Sequence, residues 1–380
     1  MTDTKTSALA PKKQRLLSID ALRGFDMVWI IGAEKIFAAL FIISGWVVFD
    51  VAAQQMNHTS WHGFTAYDLI FPLFIFLSGV SLGIAAKPLS AYPPEKSKQI
   101  LQHGVKRLFL LILLGIIYNH GWGSGIPLVI DEIRFASVLG RIGISWFFAA
   151  LIVWYLPVRA QWVIACVILI GYWLALAFVT IGDFGGGNYS ASGALNVWFD
   201  QTLLPGSTYL NQPLDPEGIL SNIPSVVNAL AGVFVGRLMK QQLATPKKLL
   251  ISLLAFGIFS IVIGYGWGSF FPINKVLWTS SFVMVTVGFS TLLLALFYGL
   301  IDVLNWRRWA KVFAVIGTNS IIVYVGSSLI NWSYISSSVF GGIIQVAAPG
   351  WRELFLFGGM VLLQWIVLYW LYRQKIFIKV

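Results

Sequence analysis

The stretch HTSWHGFTAYDLIFPLFIFLSGVSLGIA, residues 58–85, places a short polar segment directly before a long apolar run. The run over 64–86 is long enough to cross a bilayer, which takes about 20 apolar residues. His58, His62 and Asp68 stand at the entrance of that run. The stretch therefore predicts a membrane-spanning helix that begins among titratable side chains.

The composition of the whole chain agrees with a membrane protein. Of its 380 residues 58% are hydrophobic and only 11% are charged, and the mean hydropathy is +0.79. A soluble domain usually carries about 25% charged residues. The 17 Trp and 13 Tyr are typical of the aromatic belts at lipid interfaces. We predict an all-α polytopic membrane protein with the lipid bilayer as its partner.

Apolar runs of sufficient length occur about ten times along the chain. They predict transmembrane helices over 24–49, 64–86, 105–120, 136–156, 161–181, 222–238, 248–268, 277–301, 312–332 and 353–372. The Gly- and Ser-rich residues 182–193 open a long outer segment that is predicted to be a loop up to about residue 222.

The positive charges indicate the orientation of the chain. With the N-terminus inside, 21 of the 26 Lys and Arg residues fall on the inner side, as the positive-inside rule expects. Both termini are therefore predicted to be cytoplasmic. The net charge of +11 follows from this topology, so we expect no nucleic-acid partner.

The domain organisation is predicted to be simple. The first apolar run is too long for the core of a signal peptide and is expected to remain as the first helix. We expect a disordered cytoplasmic tail over 1–14 and a single transmembrane domain over 15–380. The only cysteine, Cys166, lies in the fifth predicted helix, so no internal disulfide forms.

Several charged and titratable residues are not explained by topology. They are Glu34, Lys35, His58, His62, Asp68, Arg134, Arg141, Asp215, Glu217 and Lys275. All are predicted to lie in the outer half of the membrane or in outer loops, and a charge at membrane depth costs roughly 2.5–3.5 kcal/mol. They either neutralise one another in pairs between helices or line a polar chamber that opens outward. Because so many of these residues are predicted at the same level of the membrane, a polar chamber is the favoured interpretation.

The two histidines of HTSWH allow three interpretations. Their i, i+4 spacing occurs in zinc sites, but no third ligand and no H-E-x-x-H glutamate is nearby, so we expect no metal. They are otherwise a capping or interfacial pair, or one of them is a general base. A general base needs an orienting carboxylate, and Asp68 or Glu34 are the candidates.

Other polar residues have competing interpretations. Asp215 and Glu217 precede the sixth helix and are predicted to favour its N-terminus through the helix dipole. Lys275 with Trp278 either binds an anionic ligand or is a lysine reaching the interface beside a belt tryptophan. Asn319 belongs to a helix in which polar residues either line a site or hold helices together.

Five motifs in this order resemble a known family. They are RLLSIDALRGFDM (15–27), residues 58–85 quoted above, DPEGILSNIPSVVNALAGVFVGR (215–237), FPINKVLWTSSFV (271–283) and GTNSIIVYV (317–325). The chain resembles the transmembrane acyltransferases related to heparan-α-glucosaminide N-acetyltransferase, and it looks most like the bacterial NagX-type members of the inner membrane. The resemblance covers the chain from about Arg15 to the C-terminus, and we expect the separate lumenal domain of the lysosomal enzyme to be absent.

The resemblance implies transfer of an acetyl group from cytoplasmic acetyl-CoA to the amine of glucosamine or a terminal glucosaminide on the far side of the membrane. The family's H-x-S-W-x-G motif places its active histidine at His58, and the D-L-x-F-P motif places its aspartate at Asp68. Glu34 stands where the lysosomal enzyme looks to carry an amide. That carboxylate is expected to pair with the acceptor ammonium or with His58.

Acetyl transfer also requires groups that bind the anionic co-substrate and the developing oxyanion. The candidates for binding acetyl-CoA are Arg134, Arg141, Lys275, Trp278 and Asn319. The alternatives to this function are an amino-sugar permease without chemistry and an acyltransferase for another cell-surface glycan. The acceptor and the oligomeric state, a homodimer among the forms considered, are left open.

Overall fold

The computed structural model describes residues 16–121, 123 and 129–378, so the predicted tail over 1–14 lies outside the described residues. The helices in the described part are α1 Leu17–Ile30, α2 Ile36–Ser44, α3 Val47–Gln55, α4 Ile70–Ala85, α5 Pro94–His120, α6 Val138–Tyr155, α7 Val158–Phe178, α8 Leu195–Leu203, α9 Asn222–Gln242, α10 Pro246–Gly268, α11 Ser280–Tyr298, α12 Ala310–Gly317, α13 Ser320–Leu329, α14 Trp332–Val346 and α15 Trp351–Arg373. Strands β1 (Thr180–Ile181) and β2 (Phe184–Gly185) form an antiparallel hairpin.

Ten segments of the described chain are long and apolar enough to cross a membrane, if each of two bent helix pairs counts as one span. The first bent pair joins Leu17–Ile30 to Ala33–Ser44 at 66°. The second joins Ala310–Gly317 to Ser320–Leu329 at 69°. The prediction of an all-α polytopic membrane protein with about ten spans is confirmed.

The bends correct the expectation of continuous helices over 24–49 and 312–332. Gly32 has φ of +119°, a left-handed conformation that only glycine adopts without strain, and the helix cannot continue through it. The second break falls at Asn319, whose backbone leaves helical geometry. Helices α3 and α14 were not predicted as separate elements, because their apolar runs are short.

Glycines bring α4 and α9 into backbone contact. A Cβ built at Gly79 would lie 2.0 Å from the carbonyl oxygen of Ala229, and one at Gly83 would lie 2.2 Å from that of Val233. Gly232 and Gly236 of α9 meet α4 in the same way. Small residues four apart allow such close packing in membranes. The start of α4, which carries Asp68 just before it, is thereby held beside the segment that enters α9.

Two other helix pairs support the elements of the site. Gly24 of α1 and Gly317 of α12 leave no room for a Cβ against the opposite backbone. Helices α10 and α11 pack as a hairpin through Gly257 and Gly288. The connection of this hairpin, residues 269–279, carries Lys275 and lies against the segment with His58.

The outer segment that was predicted to be a loop contains the β1–β2 hairpin and α8. Its last part is organised around Asp200, a buried side chain of α8. The carboxylate of Asp200 accepts hydrogen bonds from the backbone N–H of Asp215 (3.1 Å) and of Ile219 (2.8 Å). Asp200 thus fixes the turn that presents Asp215 and Glu217.

Candidate active site

His58 and Asp68 form the centre of the candidate site. Nδ1 of His58 lies 2.7 Å from Oδ1 of Asp68. The carboxylate is fully buried, whereas 52% of the His58 side chain is exposed. Because a carboxylate only accepts hydrogen bonds, the proton of the neutral ring is placed on Nδ1. The lone pair of Nε2 is therefore the basic position of this imidazole.

Local structure at the start of α4 explains why Asp68 is held so rigidly. Thr65 and Asp68 form a reciprocal capping box, in which the Asp68 carboxylate accepts from the backbone N–H of Thr65 (3.2 Å) and from its hydroxyl (3.0 Å). These contacts use Oδ2, which leaves Oδ1 for His58. One side chain thus begins a membrane helix and orients an imidazole.

Lys275 is the cation nearest to this pair. Its Nζ lies 3.1 Å from Nε2 of His58 and 3.5 Å from Oδ1 of Asp68. Nζ is also 3.0 Å from Nδ1, so the ammonium lies over the imidazole ring at nearly equal distances from its two nitrogens. Burial lowers the pKa of Lys275 and outweighs the carboxylate of Asp68, which favours the charged form.

Backbone contacts join the segment of His58 to the connection that carries Lys275. The N–H of Gly63 donates to the carbonyl of Ile273 (2.8 Å). The amide of Asn274 donates to the carbonyl of Trp61 (2.8 Å) and lies 3.3 Å from Nδ1 of His62. His62 is therefore part of the link between the two segments, and it does not line the cavity described next.

A cavity of about 550 Å³ opens at the exposed side of His58. This His58 cavity is lined by His58, Asp68, Arg134, Glu217, Lys275 and Trp278, together with apolar and aromatic side chains. Five of the predicted site residues, two catalytic and three cofactor-binding, therefore meet Glu217 in one space. A mostly apolar cavity with a few convergent polar groups is typical of a small-molecule site.

Arg134 is neutralised by two carboxylates at the edge of the cavity. Its guanidinium donates to both oxygens of Asp215 at 2.7 Å and also to Glu217. Burial disfavours the charge of Arg134, but the bonds to Asp215 and the charge of Glu217 outweigh it and raise its pKa. Asp215 and Glu217 therefore serve as ion-pair partners, which corrects the expectation that they favour the N-terminus of a helix.

Arg141 lies behind the cavity and does not line it. It is 1% exposed, donates to Ser221 and to Asn222 (3.3 Å), and lies 4.5 Å from the ring of Trp278. Trp278 does line the cavity, and its indole N–H donates to Asn228 (2.9 Å). The backbone φ of Trp278 is +52°, which is rare for a residue other than glycine, and its indole ring lies against Arg141.

Asn319 is not brought to the cavity, in contrast to the expectation from the sequence. Its amide donates to the carbonyl of Ile376 (3.0 Å), and its oxygen accepts from the N–H of Ile378 (3.1 Å). Both bonds hold the C-terminal segment against the break between α12 and α13. The amide is thus occupied, and Asn319 is 1% exposed.

Glu34 lies in a separate cavity of about 560 Å³, which also contains Lys35, Asn331 and Gln364. This Glu34 cavity shares only Ile30 and Tyr118 with the His58 cavity. Glu34 and His58 line different cavities and form no ion pair or hydrogen bond with each other in the described part of the chain. One oxygen of Glu34 is buried without a hydrogen-bond partner among the described residues.

Several residues of the site were not identified from the sequence. Asn119 donates to the carbonyls of Arg134 (3.1 Å) and Ala136 (2.6 Å) and so shapes the entry to α6. Tyr209 covers the guanidinium of Arg134 at 4.9 Å. Thr65 could have been found, because T-x-x-D before an apolar run is a variant of the capping-box signature. Tyr209 gave no such signal, because its place depends on the folding of the outer segment.

The described residues contain no group of three or more His, Cys, Asp or Glu side chains placed to hold a metal ion. The arrangement offers an imidazole with an orienting carboxylate, a cation beside both, and a partly apolar cavity. Such a set suits proton abstraction from a nucleophile together with stabilisation of a developing negative charge.

Fold and site together define a polytopic α-helical membrane protein with a histidine–carboxylate pair in a cavity. Among known proteins, human heparan-α-glucosaminide N-acetyltransferase is 30% identical over an alignment of 380 residues, which covers 85% of this chain and 53% of the human protein. The mouse protein of the same name is 31% identical over 327 residues, which covers 72% of this chain and 49% of that protein. No family model matches the chain.

The chain belongs to the family of transmembrane acyltransferases that includes these two proteins. It spans about half the length of each of the relatives it matches.

Proposed function

We propose that this protein is an N-acetyltransferase that moves the acetyl group of acetyl-CoA to the amine of glucosamine or of a terminal glucosaminide. The observation that carries the proposal is the 2.7 Å contact between Nδ1 of His58 and Oδ1 of Asp68, with the ring exposed to a cavity. The names of the human and mouse relatives support the acetyl group and the amine acceptor.

In the proposed reaction, the acceptor ammonium first loses one proton to solvent, and the neutral amine nitrogen then attacks the carbonyl carbon of the thioester. Nε2 of His58 takes a proton from that nitrogen as the C–N bond forms, and the carbonyl oxygen becomes an oxyanion. The C–S bond then breaks, and the imidazolium returns its proton to the sulfur of CoA. Because the acceptor arrives as an ammonium and leaves as a neutral amide, one proton is released overall. Asp68 keeps the ring in the required tautomer.

Lys275 is the proposed partner of the oxyanion. Its Nζ lies 3.1 Å from Nε2 of His58, so a carbonyl that reacts beside Nε2 is also beside this ammonium. A cation placed where negative charge develops lowers the barrier more than one that only binds the substrate. In the resting state the same ammonium lies close to Nε2, so the acceptor reaches this nitrogen beside a positive charge.

The other predicted residues take different proposed roles. Arg134 shapes the edge of the cavity, because two carboxylates already neutralise its charge. Arg141 acts on the co-substrate only through the position of Trp278, which it supports from behind. Asn319 holds the C-terminal segment. Glu34 contributes to binding of the acceptor from the neighbouring cavity, which Tyr118 also lines.

We infer that the reaction takes an acetyl group from the cytoplasmic side and delivers it outside. The positive-inside distribution of Lys and Arg supports cytoplasmic termini and an outward-facing His58. The nucleotide end of acetyl-CoA is then bound by basic residues of the inner half, with the thioester at Lys275. The resemblance to bacterial members supports an inner (cytoplasmic) membrane as the location.

Binding of acetyl-CoA to the purified full-length protein in lipid nanodiscs tests this function. Saturable binding, with desulfo-CoA as a competitor that carries no acetyl group, is the expected result. The proposal is contradicted if the protein binds neither acetyl-CoA nor CoA at millimolar ligand concentration at any pH between 6 and 8.

An amino-sugar permease is the second candidate function, and the two bent spans favour it. Discontinuous helices commonly surround the substrate sites of transporters. The Glu34 cavity lies beside the first break, because Gly32 lines it, and it reaches the far end of α13 at Ser327 to Leu329. Uptake of radiolabelled glucosamine into proteoliposomes without acetyl-CoA supports the permease, whereas an acetyltransferase leaves the free sugar outside.

A further inference from the structure

The His58 cavity continues into a polar groove on the outer side of the protein. This outer groove of about 640 Å³ is lined by His120, Asp131, Glu132, Ser207, Thr208 and Asn211. It shares Tyr118, Asn119, Arg134 and Tyr209 with the His58 cavity. A molecule that reacts at His58 and is larger than one sugar ring therefore has a path along which its remainder extends.

The groove carries an excess of negative charge. Asp131 and Glu132 are exposed, and neither side chain forms an ion pair within the described part of the chain. Arg134 is the only Lys or Arg among the lining residues, and Asp215 and Glu217 already neutralise it. The groove therefore attracts cations and repels carboxylates or sulfates.

The junction between the His58 cavity and the outer groove suits a hydroxylated ring. Tyr209 is 45% exposed and lies over the guanidinium of Arg134, while its backbone N–H is held by Asp215 at 2.8 Å. The amide of Asn211 and the hydroxyls of Ser207 and Thr208 follow along the groove; the hydroxyls donate to the carbonyls of Glu132 and Gln212 and keep their lone pairs as acceptors. An aromatic face with neighbouring donors and acceptors suits a sugar, whose ring presents C–H groups on its faces and hydroxyls at its edge.

We propose that the outer groove is a second sugar subsite and that it selects an amino sugar next to the reacting glucosamine. This inference rests on the proposed acetyltransferase function and names its acceptor class. The acceptor is then an oligosaccharide with consecutive glucosamine residues, whose second ammonium lies near Asp131 and Glu132. An acceptor with a uronic acid in that position brings a carboxylate against two others and is disfavoured.

The test uses the full-length protein in nanodiscs. It measures acetylation by acetyl-CoA of two disaccharides that differ only in the sugar at the reducing end. One is glucosaminyl-glucosamine and the other is glucosaminyl-glucuronate. We expect kcat/KM to favour the first by roughly tenfold at low ionic strength, since one like-charge contact near a surface is worth about that factor. The preference should shrink as salt is added.

The variant D131N/E132Q tests the assignment to these residues, with D183N on the outer hairpin as the matched control. The measured quantity is the ratio of the two kcat/KM values, so a loss of folded protein cancels. The double variant should bring the ratio close to one, and D183N should keep it. An unchanged ratio in the double variant, or a wild-type preference for the uronate, overturns the proposal.

Binding of the same two disaccharides without acetyl-CoA separates this inference from the proposed function. If neither sugar is acetylated but glucosaminyl-glucosamine binds more tightly and loses that advantage in D131N/E132Q, the acetyltransferase fails and the subsite stands. If both sugars are acetylated and bound equally well, the subsite fails and the acetyltransferase stands.

Discussion

Nδ1 of His58 and Oδ1 of Asp68 lie 2.7 Å apart, and this contact joins an exposed ring to a fully buried carboxylate. The carboxylate belongs to the capping box at the start of α4, so its position is fixed by the backbone of a membrane helix. The ring in turn lies beside Lys275, which the α10–α11 connection supplies. Orientation of the imidazole therefore depends on elements that are far apart in the chain.

Asp68→Asn should leave His58 in place but remove the preference for a proton on Nδ1. The expected loss in kcat is roughly 10²-fold, smaller than that of removing the imidazole, because the base remains available in one of its tautomers. Thr65→Val is the matched control, since it weakens the capping box without touching the ring. If Thr65→Val lowered kcat as much as Asp68→Asn, helix capping and not orientation of the His58 ring would explain the effect.

Lys275→Met should lower kcat by roughly 10²–10³-fold, as loss of an oxyanion partner does, with a smaller change in KM for the acceptor. The charged form of Lys275 is the active one. Because burial lowers its pKa, this form is lost at a lower pH than in free lysine, and activity should fall on the alkaline side.

Lys275→Arg keeps a charge at every accessible pH and should move that alkaline limb upward, if the variant retains activity. The measurement is kcat against pH from 6 to 10.5 for both proteins. An identical alkaline limb in wild type and Lys275→Arg would assign the titration to another group.

Glu34→Gln should affect the acceptor more than the chemistry. Its carboxylate lies in the neighbouring cavity, which shares only Ile30 and Tyr118 with the His58 cavity. We expect a rise in KM for glucosamine of about tenfold and less than a threefold change in kcat. Lys35→Gln is the control on the same turn. A loss in kcat that equals the effect of Asp68→Asn would place Glu34 at the reacting atoms.

Asp200 should make the stability of the outer segment depend on pH. Burial raises the pKa of this carboxyl to about 6. The folded protein therefore holds the proton more tightly than the unfolded chain, and the corresponding stability is fully present below about pH 4 and lost as the pH rises through about 6.

Asp200→Asn removes this titration, so the difference in thermal unfolding temperature between variant and wild type should change between pH 4 and 6.5. The variant itself is expected to be less stable, because it loses one of two backbone acceptors. Asp183→Asn, on an exposed turn of the same segment, should show no such change. A constant difference for Asp200→Asn over this range would contradict the assignment.

Much of the fold follows from the apolar runs alone. Each of the ten predicted spans corresponds to a span or a bent pair, because about 20 apolar residues have few alternatives in a bilayer. The bends at Gly32 and Asn319 were not predicted, because a single glycine or asparagine inside a run does not by itself end a helix. Their effect depends on packing partners, such as the C-terminal backbone that binds Asn319.

The site was predictable where the chemistry is local and not where it depends on tertiary contacts. His58 and Asp68 are ten residues apart, and the sequence named Asp68 as one of two candidate partners of the imidazole, beside Glu34. Lys275 was recognised as an unexplained charge, but nothing in the sequence placed it 3.1 Å from the His58 ring. The partners of Arg134 and the separation of Glu34 from His58 come from helix packing, which the pattern of residue types does not encode.

The most direct test of the account is acetyl transfer by His58→Ala, with His62→Ala as the matched control in the same motif. Purified protein in nanodiscs receives acetyl-CoA and glucosamine, and the release of the CoA thiol and the formation of N-acetylglucosamine are measured together with acetyl-CoA binding. We expect His58→Ala to lose roughly 10²–10⁴-fold in rate while it still binds acetyl-CoA, and His62→Ala to keep most of its activity. A His58→Ala protein that turns over at a near wild-type rate would contradict the assignment of His58 as the base.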